Sequence, residues 1–293
     1  MAPSNHRAVG AFMERDPHAR RRAAEADDAL GYRLVERFRD VDTDYDESSR
    51  VAFVVNCLAL ADRAVELHGL SPSLCAGPSF GQMAAMAFTG VLAYPDLVRL
   101  TAELARREAA YFAAEERDLV THFFFRTPPD ELRRVLADLD DAEVWYDLSC
   151  LLGGGFYAIT LACGHVGLLE DAVRAAGGVP LYSMRPPVHC RAFGALREEA
   201  RALLAAAGPA DPRIPWVSDQ DGAVLETAEE VAALVADGFV RPVRWPDAVA
   251  AMRRRGVTEV WVPGPSNLFD RLSQGHFPTV RTVTPEDAVP ARS

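Results

Sequence analysis

Apolar residues recur at helical spacing through much of the first third of the chain. Residues 11–39 carry Ala- and Arg-rich turns broken near Gly31. Residues 49–68 are apolar around most of the circumference, through Val51, Phe53, Val54, Val55, Leu58, Leu60 and Ala61, which predicts a buried helix ending at Gly69. A short apolar run, Ser73-Leu74-Cys75-Ala76, then reads as a strand that empties into Gly77-Pro78-Ser79-Phe80-Gly81 and a following helix. A second long helix is expected over residues 95–114, after Gly90.

Beyond residue 118 the period changes. Leu119 to Phe125 reads as a strand, Pro128-Pro129-Asp130 opens a helix running to about residue 139, and residues 143–148 read as a second strand. Gly153-Gly154-Gly155 predicts a hairpin turn rather than a phosphate loop, because a strand (156–161) and not a helix follows it. A helix over 167–176 and a strand over 179–182 complete the order β-α-β-β-α-β, a ferredoxin-like unit. Helices over 193–207, 228–236 and 246–255 alternate with strands over 214–218 and 257–262. The expected fold is therefore α/β, a mostly parallel-sheet, hydrolase-like large domain (1–117 and 186–293) with an inserted ferredoxin-like small subdomain (118–185). Its site would lie at the carboxyl ends of the strands.

Composition narrows the functions. With 293 residues and 49% hydrophobic content, the chain has enough apolar surface for a large core. A formal net charge of -11 argues against nucleic acid as a partner, since phosphate recognition relies on clustered positive charge. No apolar run reaches the roughly 20 residues of a membrane span, and no secretory apolar segment opens the sequence, so a cytoplasmic protein with no membrane partner is expected. Five cysteines (57, 75, 150, 163 and 190), without a C-x-x-C pair, fit reduced thiols and no metal site. Asp42, Asp44 and Asp46 alternate as in a calcium loop, but Glu47 stands where that loop needs its sixth-position glycine. These acids belong instead at the start of the following helix.

The chemistry centres on Ser79. In a Gly-x-Ser-x-Gly strand-turn-helix elbow the nucleophile sits on a sharp turn, and the N–H of Phe80 at the helix start can receive a developing oxyanion. Among seven histidines, His189 in Pro186-Pro187-Val188-His189-Cys190 is the expected base, because it lies where the inserted unit returns the chain to the large domain. His165 reads as a helix-start residue, and His6, His18, His68, His122 and His276 as surface or terminal residues.

These motifs resemble those of the malonyl-CoA:acyl-carrier-protein transacylases and related polyketide acyltransferases, over almost the whole chain. Ala76-Gly77-Pro78-Ser79-Phe80-Gly81 is similar to that family's A-G-H-S-L-G, Pro187-Val188-His189-Cys190 to P-x-H-S/C, Pro242-Val243-Arg244-Trp245 to P-V-x-W, and Val262-Pro263-Gly264-Pro265 to V-G-P-G. The resemblance implies a Ser79–His189 dyad and a ping-pong reaction through an acyl-serine ester. It implies no bound cofactor, the acyl group being carried as a thioester on the 4'-phosphopantetheine of an acyl carrier protein or on coenzyme A. It also places the histidine-orienting carbonyl on Gly238 and the second oxyanion donor on the N–H of Ser4, within Pro3-Ser4-Asn5-His6-Arg7 in place of the family's G-Q-G-S-Q loop. The strand that precedes that loop in the family is not found here.

Two pocket positions depart from the family. Pro78 replaces the histidine before the nucleophile. With Val98-Arg99-Leu100 matching V-R-L, the arginine that pairs with a malonyl carboxylate is replaced by Leu104, while Arg106 and Arg107 face other sides of the helix. The expected activity is transfer of an acyl group lacking a free carboxylate, such as an aminoacyl or peptidyl group, from coenzyme A onto a carrier protein or between carrier proteins, in polyketide, including antibiotic, biosynthesis. The alternatives are an acyl hydrolase clearing stalled chains and a non-catalytic carrier-protein-binding subunit. Arg106, Arg107, Arg185 and Arg244 are the expected docking residues for an acidic carrier protein.

Overall fold

A computed structural model describes residues 5–41, 45–114 and 118–288. Ser4, Asp42 and Asp44 lie outside these residues. The N-terminal helical region forms three helices, His6–Arg15, Pro17–Leu30 and Leu34–Arg39. The first break comes earlier than the glycine suggests, at Asp16-Pro17: Asp16 caps the second helix by accepting from the N–H groups of His18 and Ala19, and Pro17 takes the first position, where no N–H is needed. Gly31 ends that helix at φ 75°.

The helix Glu47–His68 is the centre of the large domain. Asp46 caps it by accepting the Ser49 N–H, and Gly69 closes it at φ 60°. Val51, Val54, Val55 and Leu58 are buried, and share one core cluster with Leu97, Val98 and Leu104 of helix Tyr94–Ala114 and with Leu204 and Val235 of later helices. Burial on most sides is what an apolar circumference requires.

The described strands are β1 (Leu119–Phe125), β2 (Tyr146–Gly153), β3 (Phe156–Ala162), β4 (Val179–Met184), β5 (Trp216–Val217), β6 (Val224–Leu225), β7 (Val243–Arg244), β8 (Glu259–Pro263) and β9 (Thr279–Val283). The ferredoxin-like order is present: helix Pro129–Asp141 lies between β1 and β2, and helix Val166–Ala175 between β3 and β4. The sheet order is β4-β1-β3-β2-β7, antiparallel through the first four. β2 starts three residues later than its apolar pattern suggests, because Glu143 at φ 54° and the Val144 N–H, donated to Leu139 O, belong to the end of the preceding helix. Gly153, Gly154 and Gly155 turn the β2–β3 hairpin with φ of 92°, 61° and 75°. β7, from the large domain, extends the small subdomain's sheet by parallel pairing of Cys150 with Val243 and Leu151 with Arg244.

The parallel pairing of the large domain is confined to short pieces. β8 pairs in parallel with β9, a strand outside the sequence expectation, and β5 pairs antiparallel with β6. The run before the elbow forms no strand, only a single parallel bridge between Cys75 and Trp216. That bridge suffices to aim the chain, since Cys75 donates to Pro215 O and accepts from Val217 N–H. The α/β class holds, with a sheet that is mixed rather than mainly parallel.

Candidate active site

Ser79 occupies the left-handed region at φ 53°, immediately before helix Gly81–Thr89. The turn closes by Gly81 N–H to Pro78 O (2.9 Å) and Gln82 N–H to Ser79 O (2.9 Å). Gly77 is required by space: a Cβ there would lie 2.5 Å from Gly81 O and 2.7 Å from Ala85 Cβ. The N–H of Phe80 makes no hydrogen bond within the described residues, so it is free to serve an incoming oxygen.

His189 also has a positive φ, 52°, and is 8% exposed. Its Nδ1 lies 2.7 Å from Gly238 O and its Nε2 2.9 Å from Ser79 Oγ. A carbonyl oxygen can only accept, so Nδ1 carries the proton and Nε2 presents a lone pair to the serine hydroxyl. Burial, opposed by the bond to Gly238, pushes the imidazole down to about 4, so it is neutral near pH 7. Gly238 closes helix Ala228–Asp237, and its main-chain oxygen needs no particular side chain.

Behind Ser79 is a group that the sequence pattern does not single out. Asp219, 1% exposed, accepts the Ser79 N–H through Oδ2 (2.8 Å) and the Gln82 side-chain amide through Oδ1 (3.0 Å). Burial raises its carboxyl to about 6 against the opposing effect of these donors.

Two cavities meet at Ser79 and His189. One, of about 430 Å³, is lined by Ser79 and His189 together with aromatic and aliphatic groups including Phe123, Phe156, Trp245 and Trp261. Pro78 borders it. The other, of about 110 Å³, is lined by Ser79, Phe80 and His189 and by Val54, Leu104, Phe112, Phe193 and Phe239. Arg50 and Glu108 also line it. Neither was singled out by sequence pattern, because an arginine inside an apolar helix and a glutamate on a charged one look like ordinary helix residues.

The four arginines assigned to docking are spread over three regions. Arg106 bonds Glu47 and Glu103, Arg107 bonds Glu103, Arg185 pairs with Asp118 and Arg244 with Asp247. All are about half exposed. Neither Arg106 nor Arg107 lines either cavity, whereas Leu104 does. One histidine needs correction: His122 is not at the surface but buried in β1, where Nδ1 lies 2.9 Å from Ser183 Oγ. β1 is an inner strand between β4 and β3 and is buried on both faces, so the side chain is covered whichever face it takes. Among the described residues no helix is long and apolar enough to cross a membrane, and no group of three or more His, Cys, Asp or Glu is placed to hold a metal ion.

Residues 123–184 match the family described as the VinK acyltransferase small domain. The chain is 21% identical over 282 residues to the malonyl CoA-acyl carrier protein transacylase of Bacillus subtilis, covering 94% of this chain and 88% of that protein. Among solved structures it is similar to the acyl-carrier-protein S-malonyltransferase of Burkholderia pseudomallei (TM-score 0.83, 22% identity, 96% and 92% of the two chains). It is likewise similar to a malonyl-transacylase solved with its type II polyketide synthase acyl-carrier protein, PlMCAT:AntF (TM-score 0.82, 21% identity, 96% and 91%). These likenesses define a protein of the malonyl-CoA:acyl-carrier-protein transacylase fold, and the Ser79–His189 contact lies within it. Within that fold, residues 123–184 are similar to the VinK acyltransferase small domain.

Proposed function

We propose that this chain is an acyltransferase that carries an acyl group without a free carboxylate, through an ester on Ser79, from one phosphopantetheine thioester to another. The single observation that carries the reading is the 2.9 Å contact of Ser79 Oγ with a histidine whose other nitrogen is bonded to Gly238 O. His189 Nε2 takes the hydroxyl proton as Ser79 Oγ forms its bond to the thioester carbonyl carbon. The carbonyl oxygen becomes an oxyanion facing the Phe80 N–H. The C–S bond then breaks, and His189 returns the proton to the departing thiol. A second thiol reverses these steps and leaves with the acyl group.

The acyl carrier protein is the proposed partner, in line with the activities named for the relatives. The larger cavity is assigned to the pantetheine arm and the smaller to the acyl group. Leu104 on the wall of the smaller cavity supports an acyl chain ending in apolar or neutral atoms, because burying an unpaired carboxylate there costs several kcal/mol.

The test is mass spectrometry of the intact protein after incubation with neutral acyl thioesters, followed by addition of a phosphopantetheinylated carrier protein. An adduct on Ser79 that moves to the carrier is expected. Release as free acid would replace transfer by hydrolysis, and no adduct at all would leave a non-catalytic carrier-binding role.

A further inference from the structure

Beyond Ser79 and His189, the smaller cavity has one charged pair, Arg50 and Glu108, in a wall that is mostly apolar but also carries Gln82 and Thr101. Arg50 and Glu108, 8% and 12% exposed, form a two-pronged ion pair in which Nη2 donates to Oε2 at 2.6 Å and Nη1 to Oε1. Arg50 Nε donates to Tyr45 O at 3.1 Å, and its guanidinium carbon lies 5.2 Å from the centre of the Phe80 ring. Phe80 is the residue after the nucleophile, so a buried guanidinium stands beside the acyl site, but both of its prongs are taken by a carboxylate of the protein itself.

A fork of this geometry is what would hold the carboxylate of a dicarboxylic acyl group. Glu108 fills that fork. An acyl group ending in a carboxylate would have to displace it, leaving two like charges together in a buried pocket. A neutral acyl group leaves the pair closed and meets Val54, Leu104 and Phe239.

Resting on the acyl-Ser79 reading above, we propose that Glu108 sets acyl-group specificity by locking Arg50 in a closed ion pair, so that the pocket excludes carboxylate-bearing acyl groups. Glu108 thereby acts through Arg50, as a positioning residue rather than a catalytic one. Its removal would expose a carboxylate clamp already present in the pocket.

The experiment is a competition between malonyl-CoA and butyryl-CoA for Ser79 in the full chain, read by mass spectrometry as the ratio of the two adducts. The wild-type protein is expected to favour butyryl. Glu108→Ala should move the ratio toward malonyl by about tenfold or more, the scale of one charge-assisted hydrogen-bonded contact. The double variant Arg50→Met with Glu108→Ala should lose that shift. If Glu108→Ala does not fold, Glu108→Gln, which keeps the side-chain shape, must move the ratio in the same direction. A ratio unchanged in the Glu108 variants, a shift that survives loss of Arg50, or malonyl preference in the wild type overturns the inference while leaving acyl transfer through Ser79 intact. Absence of any adduct on wild-type Ser79 removes the acyl-serine reading and this inference together.

Discussion

Asp219 holds Ser79 from behind: its Oδ2 accepts the Ser79 N–H at 2.8 Å, across 140 residues of sequence. The left-handed backbone of Ser79 is thereby tied to the loop after β5, while its hydroxyl is left to His189. A strained turn persists only where surrounding contacts over-determine it, and this hydrogen bond is one of them.

Asp219 and His189 give opposite pH dependences of stability. Asp219 is raised to about 6, so its contribution is fully present below the unfolded carboxylate value and is lost as pH rises to 6. His189 is lowered to about 4, so its contribution is fully present above the unfolded imidazole value and is lost as pH falls to 4. Between pH 4 and 6 the two slopes offset one another. Asp219→Asn, which retains an acceptor for the Ser79 N–H, should uncover the histidine slope. Its unfolding free energy is expected to rise toward pH 6 by about 1.4 kcal/mol per pH unit relative to the wild type. Urea unfolding at pH 4.5, 5.5 and 6.5 measures this, and parallel curves for the two proteins would contradict it.

With His189 as the proposed base, its depressed value predicts the acid limb of Ser79 acylation. Acylation of Ser79 should hold its rate from neutral pH down to about 5 and fall only near 4, where the imidazole gains its proton. His189→Ala should slow acylation by about 10²–10⁴, and Ser79→Ala should abolish the adduct with the fold intact. Stopped-flow acylation across pH 4–8 checks the limb, and a midpoint near the ordinary histidine value would remove the burial argument.

Leu104→Arg should place a guanidinium on the wall of the smaller cavity, one helical turn before Glu108. Malonyl loading is expected to rise by about tenfold relative to neutral acyl groups, a contact of the charge-assisted class. Adduct ratios on Ser79 decide it. No gain would mean that the new arginine is captured by Glu108.

Carrier docking through Arg106, Arg107, Arg185 and Arg244 predicts a salt-dependent effect of charge reversal. Because each is already bonded to a carboxylate, the loss from a single Arg→Glu change should be modest, about threefold to tenfold at low ionic strength. It should vanish near 1 M, where the screening length is about 3 Å. Transfer rates to the carrier protein over a salt series are the measurement, and a loss that does not depend on salt speaks against docking at these positions.

Gly77→Ala tests the elbow itself. The new Cβ would overlap Gly81 O and Ala85 Cβ, and overpacking of this kind costs about 1–3 kcal/mol. Thermal unfolding should shift downward and Ser79 acylation should fall with it. An active variant of unchanged stability would mean that the helix can retreat from the turn.

Much of this protein is legible in its order of residues, for local reasons. The switch from helical to alternating spacing near residue 118, the triple glycine at φ above 60° and the Gly-x-Ser-x-Gly elbow each depend on neighbours a few positions away. His189 was reachable because its segment is the return from an inserted unit. What the tertiary structure alone decided involves partners far apart. The carboxylate behind Ser79 comes from residue 219, and the arginine on the wall of the smaller cavity meets its glutamate 58 positions later, whereas the carbonyl of Gly238, 49 positions from His189, was expected only through the family resemblance. Sequence spacing carries no record of such pairs, because an Asp, an Arg or a Glu has the same local pattern whether it faces solvent or a buried partner. The run before Ser79 looked like a strand because apolar residues suit one, yet its pairing is a single bridge, since strand length is set by how far the neighbouring chain runs alongside.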